Sequence, residues 1–82
     1  MTMKEIQAWI NERVTMPQRR EYIDGPRSTT TRVWFENGDT YEQRSTDITL
    51  NNMNSEYIIN GETVRRTAWT YHNFGWKEVQ TA

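Results

Sequence analysis

The chain predicts an α+β fold: one N-terminal helix packed on an antiparallel β-meander of about five strands. Three observations carry that expectation. A capped apolar stripe with helical spacing opens the chain. Two Asn-Gly dipeptides, Asn37-Gly38 and Asn60-Gly61, each sit between runs of β-formers. The stretch Glu62–Trp76, ETVRRTAWTYHNFGW, alternates branched and aromatic residues with polar ones, a pattern that suits a pleated surface.

Thr2-Met3-Lys4-Glu5 has the form of a capping box, in which Thr2 accepts from the backbone of Glu5 and Glu5 reaches back. Met3, Ile6, Trp9, Ile10 and Val14 then recur at spacings of three and four, which predicts a helix over 3–14. Pro17 follows a second candidate cap at Thr15, and a short helical turn is expected over Pro17–Tyr22. Asp24-Gly25-Pro26 ends it.

Ser28–Ser45 reads as a hairpin about Asn37-Gly38, because a two-residue type I′ turn needs positive φ at both positions and Asn-Gly supplies it. That turn would set Trp34 opposite Tyr41, with Arg32 and Gln43 on the same face and Val33 and Phe35 on the other. The helix is expected over Val33–Phe35, which leaves Trp34 and Tyr41 outside. Thr46–Asn54 mixes strand alternation at Ile48 and Leu50 with asparagines and is expected to be a connection that carries recognition residues or packs against a neighbour. Around Asn60-Gly61 the expected pairs are Tyr57–Val64, Ile58–Thr63 and Glu56–Arg65. A loop near Asn73-Phe74-Gly75 should turn the chain into a last strand, Trp76–Val79.

Eighty-two residues, 34% of them hydrophobic, with a mean hydropathy of -1.00, form a single small domain spanning 1–82 with a thin core. Such cores yield only about 3–5 kcal/mol of net stability, so a homodimer, or folding completed on a partner, is a further expectation. Cysteine is absent, which excludes disulfides and thiolate chemistry. No apolar run is long enough for a membrane span or signal segment, and a cytoplasmic protein with no membrane partner is expected.

Ten basic and eleven acidic residues give a net charge of -1, neither a DNA mimic nor a general nucleic-acid binder. Eight of the ten bases are arginine, whose planar fork suits carboxylates, phosphates and aromatic faces and is enriched at protein interfaces. His72 stands alone, without a neighbouring set that would orient a base or complete a metal site. The carboxylates are scattered among the arginines, and no HExxH, GxSxG or glycine-rich phosphate loop occurs. These absences argue against an enzyme, and no cofactor or metal is expected.

What remains is an Arg and aromatic set: Arg32, Trp34, Tyr41, Arg65, Arg66, His72, Phe74 and Trp76. Trp, Tyr and Arg dominate protein hot spots, which points to a non-enzymatic binding protein that occupies the surface of a larger host protein or nucleoprotein complex. The same residue types could stack bases and hold phosphates, so a single-stranded nucleic-acid or nucleotide-binding domain is the alternative. In size and composition alone, the chain resembles short phage- or mobile-element-encoded accessory proteins such as anti-restriction and anti-CRISPR inhibitors. That resemblance implies a host defence assembly as the partner and transfers no residue roles.

Overall fold

The computed structural model describes residues 1–79. Helix α1 (Met3–Asn11) is followed by strands β1 (Gln18–Gly25), β2 (Ser28–Phe35), β3 (Thr40–Thr46), β4 (Asn52–Ile59), β5 (Glu62–His72) and β6 (Gly75–Val79). The strands form one antiparallel meander in chain order, β1 to β6, with six strands where about five were expected. The capping box is formed: the Glu5 amide donates to Thr2 Oγ1 at 3.1 Å, and the Thr2 amide donates to Glu5 Oε1 at 2.9 Å. The helix ends three residues earlier than its stripe predicts, and Val14 lies exposed in the turn that follows.

Pro17–Tyr22 is not a helical turn. Gln18–Gly25 instead pairs with β2 over its whole length, from Gln18 opposite Phe35 to Gly25 opposite Ser28. Tyr22 and Ile23 are β-formers, and the β2 edge supplies the pairing partner. Pro26 and Arg27 make the two-residue turn between them.

The core lies between α1 and one face of β2–β5. Ile6 is buried to 1% exposure against Val33, Phe35, Tyr41, Tyr57 and Ile59, with Met3, Trp9, Ile10, Met16 and Val64 packed around them. Trp9 meets the Phe35 ring edge-on at 5.8 Å and the Tyr41 ring at 6.4 Å. As expected, the helix covers Val33 and Phe35. Tyr41 does not stay outside with Trp34, however; it is opposite Val33 and buried.

The displacement begins at the turn. The Phe35 amide donates to the Asp39 carbonyl at 2.9 Å and the Gly38 amide to the Phe35 carbonyl at 3.0 Å, so Phe35 pairs with Asp39 across a three-residue loop, Glu36–Gly38, in place of a two-residue turn. Asn37 holds it by accepting from the Asp39 amide at 3.0 Å, an Asx-type contact that competes with the tight turn. One residue of register moves every β3 side chain to the other face.

The second hairpin has the tight turn, with Asn60 and Gly61 at φ 51° and 81° and Ile58 opposite Thr63. A bulge then leaves Val64 as the extra residue, so that Tyr57 faces Arg65 and Glu56 faces Arg66. The turned-out Val64 carbonyl accepts from the Met1 amine at 2.9 Å, which anchors the start of α1 on β5.

Candidate functional site

The sheet face turned away from α1 carries a continuous line of alternating charges. Glu21, Arg32, Glu42, Arg44, Glu56 and Arg66 follow one another from β1 to β5. Arg32 joins Glu21 at 3.3 Å and Glu42 at 2.5 Å, and Arg44 joins Glu42 at 2.6 Å and Glu56 at 3.8 Å. Arg66 closes the line on Glu56 at 3.0 Å. The hydrogen bond from Arg32 to the Glu42 carboxylate holds the guanidinium pKa above its ordinary value. Cross-strand neighbours of opposite sign on one face attract, whereas like charges there repel.

Two shallow depressions lie along this line. One, of about 450 Å³, has Ile58 at its floor and Trp34, Thr63, Glu42 and Arg44 around it. Ile58 is 8% exposed although no helix covers this face, because the tall neighbouring side chains enclose it. Arg19 lies over the Trp34 ring at 4.3 Å, which fixes the indole as a wall. The other depression, of about 610 Å³, lies between Arg44 and Arg66 beside Asn54 and Ala68.

A second constellation occupies the sheet end that bears the β1–β2, β3–β4 and β5–β6 connections. The Ile48 amide donates to the Arg27 carbonyl at 3.1 Å and the Tyr71 amide to the Asn51 carbonyl at 2.7 Å, tying the β3–β4 loop to its neighbours. Thr49 Oγ1 accepts from the Asn52 amide at 3.1 Å, and Asn54 donates to Asp47 at 3.2 Å. From this braced loop Leu50 projects 92% exposed. In the next connection Asn73 and Phe74 form a two-residue turn, both left-handed at φ 50° and 63°, and Phe74 is 97% exposed. Behind it Tyr71 and Trp76 pair edge-on at 5.6 Å, each half-exposed.

The residues expected to form one contact surface are thus divided. Arg32, Trp34 and Arg66 lie on the open face; His72, Phe74 and Trp76 lie at the end. Tyr41 belongs to neither: it is buried under Trp9, its hydroxyl donates to Gln43 at 3.0 Å, and burial pushes its pKa up to about 12. Arg65 is on the helix side, where it binds Glu78 and donates to the Met1 carbonyl at 3.3 Å, so it straps α1 to β6. Arg19, Glu42 and Leu50 join the two surfaces without having been singled out: the expected helical turn over Pro17–Tyr22 hid Arg19, the shifted β3 register hid Glu42, and the loop at 46–54 hid Leu50. Among the described residues no three His, Asp or Glu side chains gather as metal ligands. No family model, curated protein or solved structure matches the chain.

Proposed function

We propose that this protein is a non-enzymatic binding protein that occupies the surface of a larger protein or nucleoprotein complex, with the β5–β6 end as its leading contact. The observation that carries this reading is Phe74. A bulky aromatic in the left-handed region is disfavoured by roughly 1–2 kcal/mol, which glycine at the same place would avoid. Phe74 recovers none of that by packing, since its side chain is 97% exposed. A strained and uncovered aromatic beside Leu50 and the Tyr71–Trp76 pair supports a role outside the fold itself.

The open face supports the same reading over nucleic acid. Arg32, Arg44 and Arg66 each already hold a carboxylate. A phosphate would have to displace Glu42 or Glu56, whereas a protein surface of mixed charge can extend the alternating line. On the resemblance in size and composition alone, the partner class this reading names is a host defence assembly, which the protein would inhibit.

Affinity capture from host lysate, with and without nuclease, tests the proposal when wild type is compared with Phe74→Gly. Nuclease-resistant partners retained by wild type and lost by the variant, at equal or higher melting temperature, support it. Capture that vanishes with nuclease, or an affinity that falls steeply and linearly with salt on a log–log scale, transfers the assignment to the nucleic-acid reading.

A further inference from the structure

Strand β1 leaves one edge of the sheet open. All eight of its residues are exposed and its ladder to β2 is unbroken by any bulge. Sheet edges are ordinarily blunted by charged side chains, proline or a bulge; β1 has no proline and no bulge, and its charges are of both signs, Arg19 and Arg20 against Glu21 and Asp24, so a second copy can match them. It also exposes Tyr22 and Ile23, 65% and 44% accessible, on opposite faces.

The hydrogen-bonding parity of the strand is set from both ends. Gly25 opposite Ser28 closes a two-residue hairpin, and such a closing pair exchanges backbone hydrogen bonds inward. At the other end the Glu36 amide donates to the Pro17 carbonyl at 3.0 Å, so Pro17 also faces β2. Odd-numbered residues therefore bond to β2, while Arg20, Tyr22 and Asp24 direct their amides and carbonyls outward.

We propose that two copies join antiparallel through β1, about a two-fold axis at Tyr22, to give one continuous sheet across the dimer. In that register Tyr22 faces its own symmetry mate and Arg20 faces Asp24 of the second copy at both ends, all on the helix side. The interface is isologous, as a two-fold axis requires. Arg20 donates to Gln18 at 3.2 Å, and neither it nor Asp24 belongs to an ion pair among the described residues. A register one pair away centres on Glu21 against Glu21, like charges directly opposed, and is disfavoured. The opposite shift loses both Arg–Asp pairs.

Sedimentation equilibrium over a wide concentration range, with the whole chain, reads the outcome. Wild type is expected to be a concentration-dependent dimer. Arg20→Asp and Asp24→Arg should each weaken dimerisation roughly tenfold by setting like charges opposite one another twice, and the double variant should restore it. Tyr22→Pro should abolish it while leaving the β1–β2 ladder intact, because the lost amide faces outward. Concentration-dependent protection of the Arg20, Tyr22 and Asp24 amides from exchange gives a reading independent of the variants. A monomer at all concentrations, a dimer indifferent to Arg20→Asp, or unprotected amides at those three positions would overturn the proposal.

Discussion

Arg13 clamps Trp9 to the β2–β3 turn: its Nε donates to Asp39 Oδ2 at 2.8 Å, while its guanidinium carbon lies 3.9 Å from the centre of the indole ring. Its Nη1 also donates to the Trp9 carbonyl at 2.8 Å, which caps the end of α1. Asp39 collects further hydrogen bonds from Asn37 at 2.8 Å and Asn60 at 3.2 Å. One guanidinium thus joins the helix to the tips of both Asn-Gly hairpins. Arg13→Ala should lose the ring contact, a loss on the order of 0.5–1 kcal/mol, together with the hydrogen bonds that orient the loop. A melting temperature lower by several degrees is the expected reading.

Asp39 also makes stability depend on acid. The Arg13 hydrogen bond, followed by that from Asn37, holds its carboxyl below the usual aspartate range. A carboxyl whose folded pKa is depressed stabilises the fold fully above its unfolded pKa, near about 4, and the contribution is lost as pH falls through the folded value. Melting temperatures measured between neutral pH and strongly acidic pH should therefore drop below about pH 4 in wild type. In Asp39→Asn the profile should start lower and fall less.

Tyr41 gives the opposite limb. Burial pushes its pKa up to about 12, so its ionised form is disfavoured in the folded protein relative to the unfolded chain. The folded value exceeds the unfolded one, near 10, and this contribution is therefore complete below pH 10 and lost as pH rises toward 12. An absorbance titration of the tyrosines should show one late ionisation coincident with loss of near-ultraviolet dichroism. Tyr41→Phe should remove that step and cost about 0.5–1.5 kcal/mol through the missing bond to Gln43.

Patterning located the helix, its capping box, both reversals and the face that α1 covers, because each rests on a spacing or a cap chemistry local in the chain. Register was legible only where no side chain competes with the turn. Asn60-Gly61 places Ile58 opposite Thr63 as its dipeptide predicts. Asn37 instead bonds the Asp39 amide, and the longer loop carries Tyr41 into the core. The Val64 bulge is equally silent in sequence; it moves the ion-pair partner of Glu56 from Arg65 to Arg66. β1 was missed because Thr15 and Pro17 mimic a helix start, while the β2 edge that claims Gln18–Gly25 is a tertiary fact. Of the contact residues, composition found the aromatics and arginines, but only register could divide them between two surfaces.

Within the charge line, position should govern cost. Arg66 is 74% exposed at the end of the line and bonds one carboxylate, so Arg66→Ala should change stability by no more than about 0–1 kcal/mol. Glu42 is 15% exposed and accepts from both Arg32 and Arg44. Glu42→Gln should destabilise more than Arg66→Ala, since two guanidinia each lose one of their two carboxylate partners. Denaturant midpoints of the two variants, compared at low and high salt, check the order; salt should narrow the gap.

Phe74→Gly sets stability against binding in a single variant. The left-handed Phe74 sits where a type I′ turn ordinarily holds glycine, after an asparagine that suits its own positive φ. Its side chain is 97% exposed, so removing it opens no cavity. Relief of the backbone conflict, less the greater unfolded-state freedom of glycine, leaves a net gain of about 0.5–1 kcal/mol. A rise of about 2–8 °C in melting temperature is the expected measurement for a domain of this size. Phe74→Ala separates the two contributions: it keeps the strained backbone, and so should leave the melting temperature nearly unchanged, yet removes the ring. If the ring is the contact, both variants lose the partner although only glycine stabilises the fold. A Phe74→Gly protein less stable than wild type would mean that the ring supports the turn, and the proposed contact at this end would lose its main argument.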